Sequence, residues 1–308
     1  MADAEKTLVC VVGPTAIGKT AVGVRLAAHF HTVVLSADSR QLYREMNVGT
    51  AKPTMDELAA VPHYFINSHT VTDDYSAGEF ERDALKLLED LFSTHDIVVL
   101  VGGSGLFVNA VCQGLDDLPK PLAGVRERLN SAHRQRGLEY LQHMLKQADP
   151  LYYHEVDIHN PQRVIRALEV YESTGVPFSH FRRRQAAARH FNVLKIGLHA
   201  DRERLYGRIN ARVDSMMEAG LLEEVQSLLA YRDKPPLKTV GYAELFDYLD
   251  GRYTLQQAVE KIKQNTRRYA KRQLTWFRSD TATKWFEPED IAQIMEHIAS
   301  RSCPNNLA

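Results

Sequence analysis

The run Gly13-Pro-Thr-Ala-Ile-Gly-Lys-Thr20 limits the fold of this chain more than any other feature, because it matches G-x-x-x-x-G-K-[ST] in full. Glycines let the backbone wrap a phosphate with its N–H groups pointing inward, and a helix placed just behind adds its positive N-terminal end. The arrangement therefore needs a strand in front and a helix after. Both are legible: Thr7–Val12 is a short β-rich run, and Lys19–Phe30 carries Val22, Leu26 and Ala27 at helical spacing. Gly13, Pro14, Thr15, Ala16, Ile17 and Gly18 are thus expected to cradle a diphosphate. Lys19 adds a full positive charge, and the Thr20 hydroxyl is the expected ligand of a Mg2+ ion.

Further β-rich runs are Thr32–Leu35, ending at Ala37-Asp38, Ile97–Val101, ending at Gly102-Gly103, and the weaker Val193–Leu198. They do not alternate polar with apolar, which is the pattern of strands covered on both faces. Strands interleaved with helices predict an α/β fold, here a P-loop NTPase-like parallel sheet flanked by helices, with its ligand at the carboxyl ends of the strands. The stretch from Pro119 to Arg189 differs, with helical patterns at Val125–Arg136, Leu138–Gln147 and Arg163–Tyr171 and bases at Arg182–Arg184 and Arg189. It reads as a helical insertion domain over 119–190, between the first part of the core (1–118) and its completion (191–308). Helical patterns continue at Arg202–Ala219, Leu221–Tyr231, Ala243–Leu249 and Leu255–Trp276, and Ser302–Ala308 is expected to fray.

Composition excludes more than it proposes. Hydrophobic residues make up 44% of the 308, enough for a core of this size. Lys plus Arg number 38 against 39 Asp plus Glu, so net charge points to no partner and only its distribution can. Cys10, Cys112 and Cys303 show no C-x-x-C spacing, which argues against a structural zinc site or a disulfide framework. No apolar run is long enough to span a membrane, and the first residues carry acids where a signal peptide carries bases, so a cytoplasmic protein is expected.

The P-loop specifies a diphosphate but no reaction. Kinases and NTPases usually place an acid after a buried strand for the metal. Here Ile97–Val101 runs into Gly102-Gly103-Ser104-Gly105, and Asp96 stands at the opposite end of that strand. Asp38 is the nearest alternative, as a proton acceptor, a helix cap or a metal ligand. Seven bases and no acid lie from Lys261 to Ser279: Lys261, Lys263, Arg267, Arg268, Lys271, Arg272 and Arg278, interleaved with Tyr269, Trp276 and Phe277. Helical spacing puts Arg267, Lys271 and Arg278 on one face, with Arg268 and Arg272 beside it, an electrostatic footprint suited to nucleic acid.

Taken with ADSRQLYREMNVGTAKP (Ala37–Pro53), VPHY (Val61–Tyr64), DDYSAGEF (Asp73–Phe80), VGGSGLF (Val101–Phe107), NPQRVIRALEVYESTG (Asn160–Gly175), INARVDSMMEAGLLEEV (Ile209–Val225), VGY (Val240–Tyr242) and TRRYAKRQLTWFR (Thr266–Arg278), the sequence closely resembles the tRNA isopentenyltransferase, or tRNA dimethylallyltransferase, family. The match is collinear over roughly residues 8 to 280. The resemblance implies transfer of a dimethylallyl group from dimethylallyl diphosphate, with Mg2+, to N6 of an adenine beside the tRNA anticodon, by a monomeric enzyme. It implies that Asp38 is the general base, that Arg212 binds diphosphate, and that Ser104 is catalytic. For the anticodon stem-loop it implies contacts from Asp38, Ser39, Arg40, Gln41 and Ser104, and from Arg126 with Gln162, Arg163, Val164, Ile165 and Arg166. It adds Lys238, Gly241 and Tyr242, then Lys271, Arg272, Gln273, Trp276 and Arg278. Ser104 and Phe107 depart from the family's GGTGLY, the first keeping a hydroxyl and the second losing one. Lys238, Thr239 and Ala243 replace the arginines and cysteine that often flank VGY, which weakens the expectation for that loop. Rival readings are a small-molecule kinase, an isopentenyltransferase acting on free adenylate, and a non-catalytic RNA-binding protein with a relic loop.

Overall fold

The computed structural model describes residues 6–182 and 186–302, so Arg183, Arg184 and residues 303–308 lie outside the described residues, while Ser302, expected to fray, is the buried last residue of the final helix. The chain divides into two compact units, one of residues 1–113 and 188–308 and one of residues 114–187.

The larger unit is built on a six-stranded sheet in the order β3-β2-β4-β1-β5-β6. Its strands are β1 (Thr7–Val12), β2 (Val34–Ser36), β3 (His63–Tyr64), β4 (Ile97–Gly102), β5 (Asn192–Leu198) and β6 (Lys284–Phe286). Every pairing is parallel, with Val9 opposite Val99 on one side and Leu194 on the other. All six residues of β1 are buried, because both faces are covered. Leu8, Cys10, Val12, Val98 and Leu100 pack on one face, and Val9, Val11, Val99 and Val101 on the other. The unbroken apolar runs of the sequence are thus two alternating sets, each with its own layer of helices.

On the first face lie α3 (Ala77–Phe92), α4 (Gly105–Gln113), α10 (Leu221–Ser227), α11 (Tyr242–Leu249) and much of α12 (Leu255–Arg278). The second face is covered by α1 (Lys19–His29), part of α9 (Arg202–Glu218) and α13 (Ile291–Ser302). Short α2 (Met55–Ala60) precedes β3. Cys10 and Cys112, remote in sequence, are free thiols in contact across the first layer at 3.4 Å.

Several elements differ from the sequence reading. The second strand begins at Val34 rather than Thr32, because His31 adopts a left-handed φ of 50° and Thr32 closes the turn by donating its hydroxyl to the Ile97 carbonyl at 2.6 Å. Helix α3 was not foreseen, although Ser76 and Glu79 form a reciprocal capping box at its start. Strands β3 and β6 have two and three residues, too few for a periodic pattern.

The smaller unit contains α5 (Val125–Ala148), α6 (Pro150–Glu155), α7 (Pro161–Thr174) and α8 (Phe178–Phe181) around Leu129, Leu141, Leu145, Val164, Ile165 and Leu168. Helix α5 is broken at Gly137, where φ is 80° and ψ 176°, so the two expected helices meet end to end there. Asp149, almost fully buried, accepts from the Tyr152 and Ser179 N–H groups at 2.9 and 2.7 Å and fixes the α6–α8 corner.

Candidate active site

The strand order brings three loops together. β2, β4 and β1 are neighbours, so the Asp38 turn, the Gly103-Ser-Gly105 turn and the P-loop all leave the same edge of the sheet. Gly102 presses on the Asp38 turn, where a Cβ would stand 2.4 Å from the Ala37 carbonyl oxygen. Ser104 Oγ accepts the Ser39 N–H at 2.9 Å and donates to Ser39 Oγ at 3.1 Å. Arg40 N–H donates to Asp38 Oδ1 at 2.9 Å, which holds the carboxylate against its own turn. Phe107 is buried and stacks on Phe80 at 4.5 Å, so the ring without a hydroxyl belongs to the core behind the site.

In the P-loop, Ala16 adopts a left-handed φ of 63° and Gly18 a φ of 105°, turning successive N–H groups one way before α1 begins. Lys19 Nζ donates to the Pro14 carbonyl at 2.7 Å. Burial, opposed by Asp38 and joined by Arg212, pushes the Lys19 amine down to about 8. Arg212, on α9, donates to Thr15 Oγ1 at 3.3 Å, and burial lowers its pKa against the pull of Asp38. Two desolvated cations side by side are costly to bury unless an anion joins them, an arrangement that suits a polyanion.

Two cavities adjoin. One, of about 250 Å3, is lined by the P-loop residues Gly18, Lys19 and Thr20 with Gln41, Lys52 and Arg208. The other, of about 180 Å3, is lined by Ile209, Val213, Met216, Leu221, Val240 and Ile262. Thr15, Asp38, Thr50, Arg212 and Tyr269 belong to both. A cationic compartment thus opens beside an apolar one, with Asp38 and Arg212 at their junction. Tyr269 stands close enough to Asp38 that burial and the carboxylate together raise its phenol to about 12.

Several supporting residues were not legible as such. Glu224, on α10, accepts the N–H groups of Asn47, Val48 and Gly49 at 2.8, 2.7 and 3.0 Å and the Tyr242 hydroxyl at 2.6 Å. It fixes the turn that carries Gly49 and Thr50 into the cavities. A Cβ at Gly49 would lie 2.6 Å from the Tyr242 ring, so that contact requires glycine. Lys52 donates to the Tyr43 carbonyl, Asn47 Oδ1 and Asn67 Oδ1, and burial lowers it to about 8. No local signal gives Glu224 this role, since its backbone partners Asn47, Val48 and Gly49 lie 175 to 177 residues away.

The expected RNA contacts divide by placement. Ser39, Arg40 and Gln41 line the cavities, and Gln41 Nε2 also donates to the Ala51 carbonyl at 3.2 Å. Lys238 is exposed, while Gly241 is a buried wall of the apolar cavity. Arg268, Lys271, Arg272, Trp276 and Arg278 are exposed along α12, whereas Arg267 turns inward and donates to Asn210 Oδ1 at 2.6 Å. Of the five bases read from spacing on or beside one face, Arg268, Lys271, Arg272 and Arg278 are exposed, and only Arg267 departs from it. Four expected contacts have inward side chains. Tyr242 is fully buried with its hydroxyl on Glu224, and Val164 and Ile165 are core residues of the smaller unit. Gln273 is 6% exposed, and its amide joins Thr15 N–H at 2.8 Å to the Gly103 carbonyl at 2.9 Å. In the smaller unit Gln162 and Arg163 are exposed, while Arg126 and Arg166 hold buried Glu169 at 2.5 and 3.0 Å. Burial opposes the Glu169 charge, yet the two arginines bring its pKa below the ordinary carboxylate value.

Among the described residues no group of three or more His, Cys, Asp and Glu side chains forms a metal cage. Thr20 and Asp38 do line one cavity. Mg2+ is usually held by one or two protein oxygens with phosphate and water completing its shell, so this donor set fits a Mg2+ that arrives with a diphosphate.

The IPP transferase family model matches residues 41–280, more than half of the chain. The chain belongs to the IPP transferase family. This member is 50% identical to tRNA dimethylallyltransferase 1 of Bacteroides thetaiotaomicron, over 95% of each chain. It is 47% identical to the tRNA dimethylallyltransferase of Cytophaga hutchinsonii, over 98% of this chain and 99% of the relative. Its fold is similar to the solved tRNA isopentenylpyrophosphate transferase of Bacillus halodurans, at 37% identity, 97% coverage of both chains and a TM-score of 0.72. No helix among the described residues of this IPP transferase is long and apolar enough to cross a membrane.

Proposed function

We propose that the protein transfers a dimethylallyl group from dimethylallyl diphosphate to N6 of the adenine adjacent to the anticodon in tRNA, releasing diphosphate. One observation carries this reading: the cationic and apolar cavities meet at Asp38 and Arg212. A prenyl diphosphate is the ligand with matching halves, an anionic head for the P-loop and a five-carbon apolar tail. Its reacting carbon then falls at the junction.

The chemistry follows from that placement. The P-loop N–H groups, Lys19 and Arg212 hold the diphosphate and stabilise its charge as the C1–oxygen bond breaks. Mg2+, when bound beside Thr20, adds positive charge on the same leaving group. The apolar walls exclude water, which otherwise competes for the carbon. N6 of adenine bonds to C1, and Asp38, facing the junction, takes the proton N6 sheds. The adenine leaves its stack to reach Asp38, at less cost in an anticodon loop, where it is unpaired. The exposed bases of α12, next to Tyr269, offer the RNA phosphates a docking face.

A kinase reading is disfavoured because β4 ends in glycine and Asp96, at its other end, pairs with Lys6 at 2.7 Å. A cytoplasmic monomer suits an enzyme of tRNA. Incubation with radiolabelled dimethylallyl diphosphate and unmodified tRNA tests the reading, with free AMP as alternative acceptor and ATP hydrolysis as control. Label in RNA supports it, while label in AMP alone or ATP turnover without label contradicts it.

A further inference from the structure

Helix α9 lines both cavities, and the order of its side chains bears on donor choice. Arg208 lines the cationic cavity alone, Arg212 lines both, and Met216 lines the apolar cavity alone. Four residues of α-helix advance about 6 Å, so these positions mark successive turns of one face. The prenyl-transfer reading therefore puts the diphosphate by Arg208 and Arg212 and the apolar tail toward Met216.

A dimethylallyl group extends three carbon–carbon bonds beyond C1, about 4 Å at roughly 1.5 Å per bond. That is less than one helical turn, so a five-carbon tail starting beside Arg212 fits within the stretch of α9 between Arg212 and Met216. A second isoprene unit adds four more bonds, about 5 Å, and its path runs into Met216 and Leu221. The cavity is small, about 180 Å3, and both residues belong to its wall. Leu221 is fully buried in the core, anchored at the start of α10, whereas Met216 is only partly buried and packs against that core.

From this geometry we infer that Met216 is the chain-length stop of the donor site, admitting a five-carbon prenyl diphosphate and rejecting a ten-carbon one. The inference rests on the prenyl-transfer reading above and adds the residue that sets the donor class. A long unbranched side chain suits the role, since removing its thioether lengthens the cavity while the backbone of α9, and with it Arg212, stays in place.

The test offers dimethylallyl diphosphate and geranyl diphosphate in equal amounts, with unmodified tRNA, and weighs the modified nucleosides after digestion. Wild type should give almost wholly the five-carbon product. Met216→Ala should raise the ratio of ten-carbon to five-carbon product by at least about tenfold, the lower end of what one pocket-lining group discriminates. Met216→Val, a smaller truncation, should raise it by less, and also serves if the alanine variant does not fold. A ratio unchanged from wild type in the folded variants, with five-carbon transfer retained, overturns the inference and leaves the proposed function standing. A wild-type protein that modifies tRNA with neither donor overturns the proposed function and the inference together.

Discussion

The side-chain carbonyl of Gln273 accepts the backbone N–H of Thr15 at 2.8 Å. The same amide donates to the Gly103 carbonyl at 2.9 Å, so one residue of the basic helix α12 ties the P-loop to the loop that carries Ser104. Thr15 is also the residue to which Arg212 donates. A helix whose outer face is basic is thus joined, through its inner face, to the P-loop.

Replacing Gln273 with Glu keeps an acceptor for Thr15 but sets a second oxygen against the Gly103 carbonyl. An unmet buried group of this kind costs roughly 1–3 kcal/mol. The expected result is a melting temperature lowered by a few degrees together with a donor KM raised by up to about tenfold, since 1.4 kcal/mol is a factor of ten. Titration of initial rates against dimethylallyl diphosphate checks this, and an unchanged KM would show that the bridge is dispensable.

Asp38→Ala should lower the single-turnover rate by a factor on the order of 100 or more, in the range of a lost general base. Affinity for tRNA should stay close to wild type, because the docking face on α12 is untouched. Wild-type single-turnover rates in this variant would remove Asp38 from the chemistry.

The lowered Lys19 pKa gives donor binding a direction with pH. Burial favours the neutral amine, so in the free enzyme the proton leaves near pH 8 rather than near 10.5. Donor affinity should therefore hold at pH 7 and fall as pH rises through about 8. The linked stability runs the other way: below about 8 the folded state carries a strained charge, a penalty relieved between about 8 and 10.5. Lys52 titrates in the same window, so two variants separate them. Lys19→Met should bind donor weakly with no step near pH 8, and Lys52→Met should keep the step.

Binding of tRNA should weaken with salt. If about five phosphates are neutralised, the log–log slope is about −3.5, from roughly −0.7 per contact for single-stranded RNA. Lys271→Ala should make the slope shallower by about 0.7, while Lys263→Ala should not, because Lys263 is engaged with Asp214 at 2.7 Å. Filter binding over a salt series measures both, and an affinity independent of salt would contradict an electrostatic docking face.

Much of the α/β core was legible because its signals are local: a full P-loop match between a strand and a helix, and glycine-ended strands beside it. Asp38 was legible as a candidate because the end of a strand is where such folds place ligands. What stayed hidden depends on contacts between distant segments. Glu224 reads as one of two adjacent acids in LLEEV, and only the fold brings Asn47, Val48 and Gly49 to it. Gln273 sits in a basic run that suggests RNA, yet the rotation of α12 points it at the P-loop. The same rotation turns Arg267 toward Asn210, a shift in facing that spacing alone does not fix. Helix α3 had a capping signal but lay in a segment otherwise read as a family motif.

The claim that the two joined cavities bind a prenyl diphosphate for transfer to RNA is tested most directly by following label from dimethylallyl diphosphate into unmodified tRNA, with digestion to nucleosides. Label recovered on N6 of the adenine beside the anticodon, and not in AMP supplied in parallel, is the predicted result. Label absent from the RNA, or recovered in AMP alone, would contradict it.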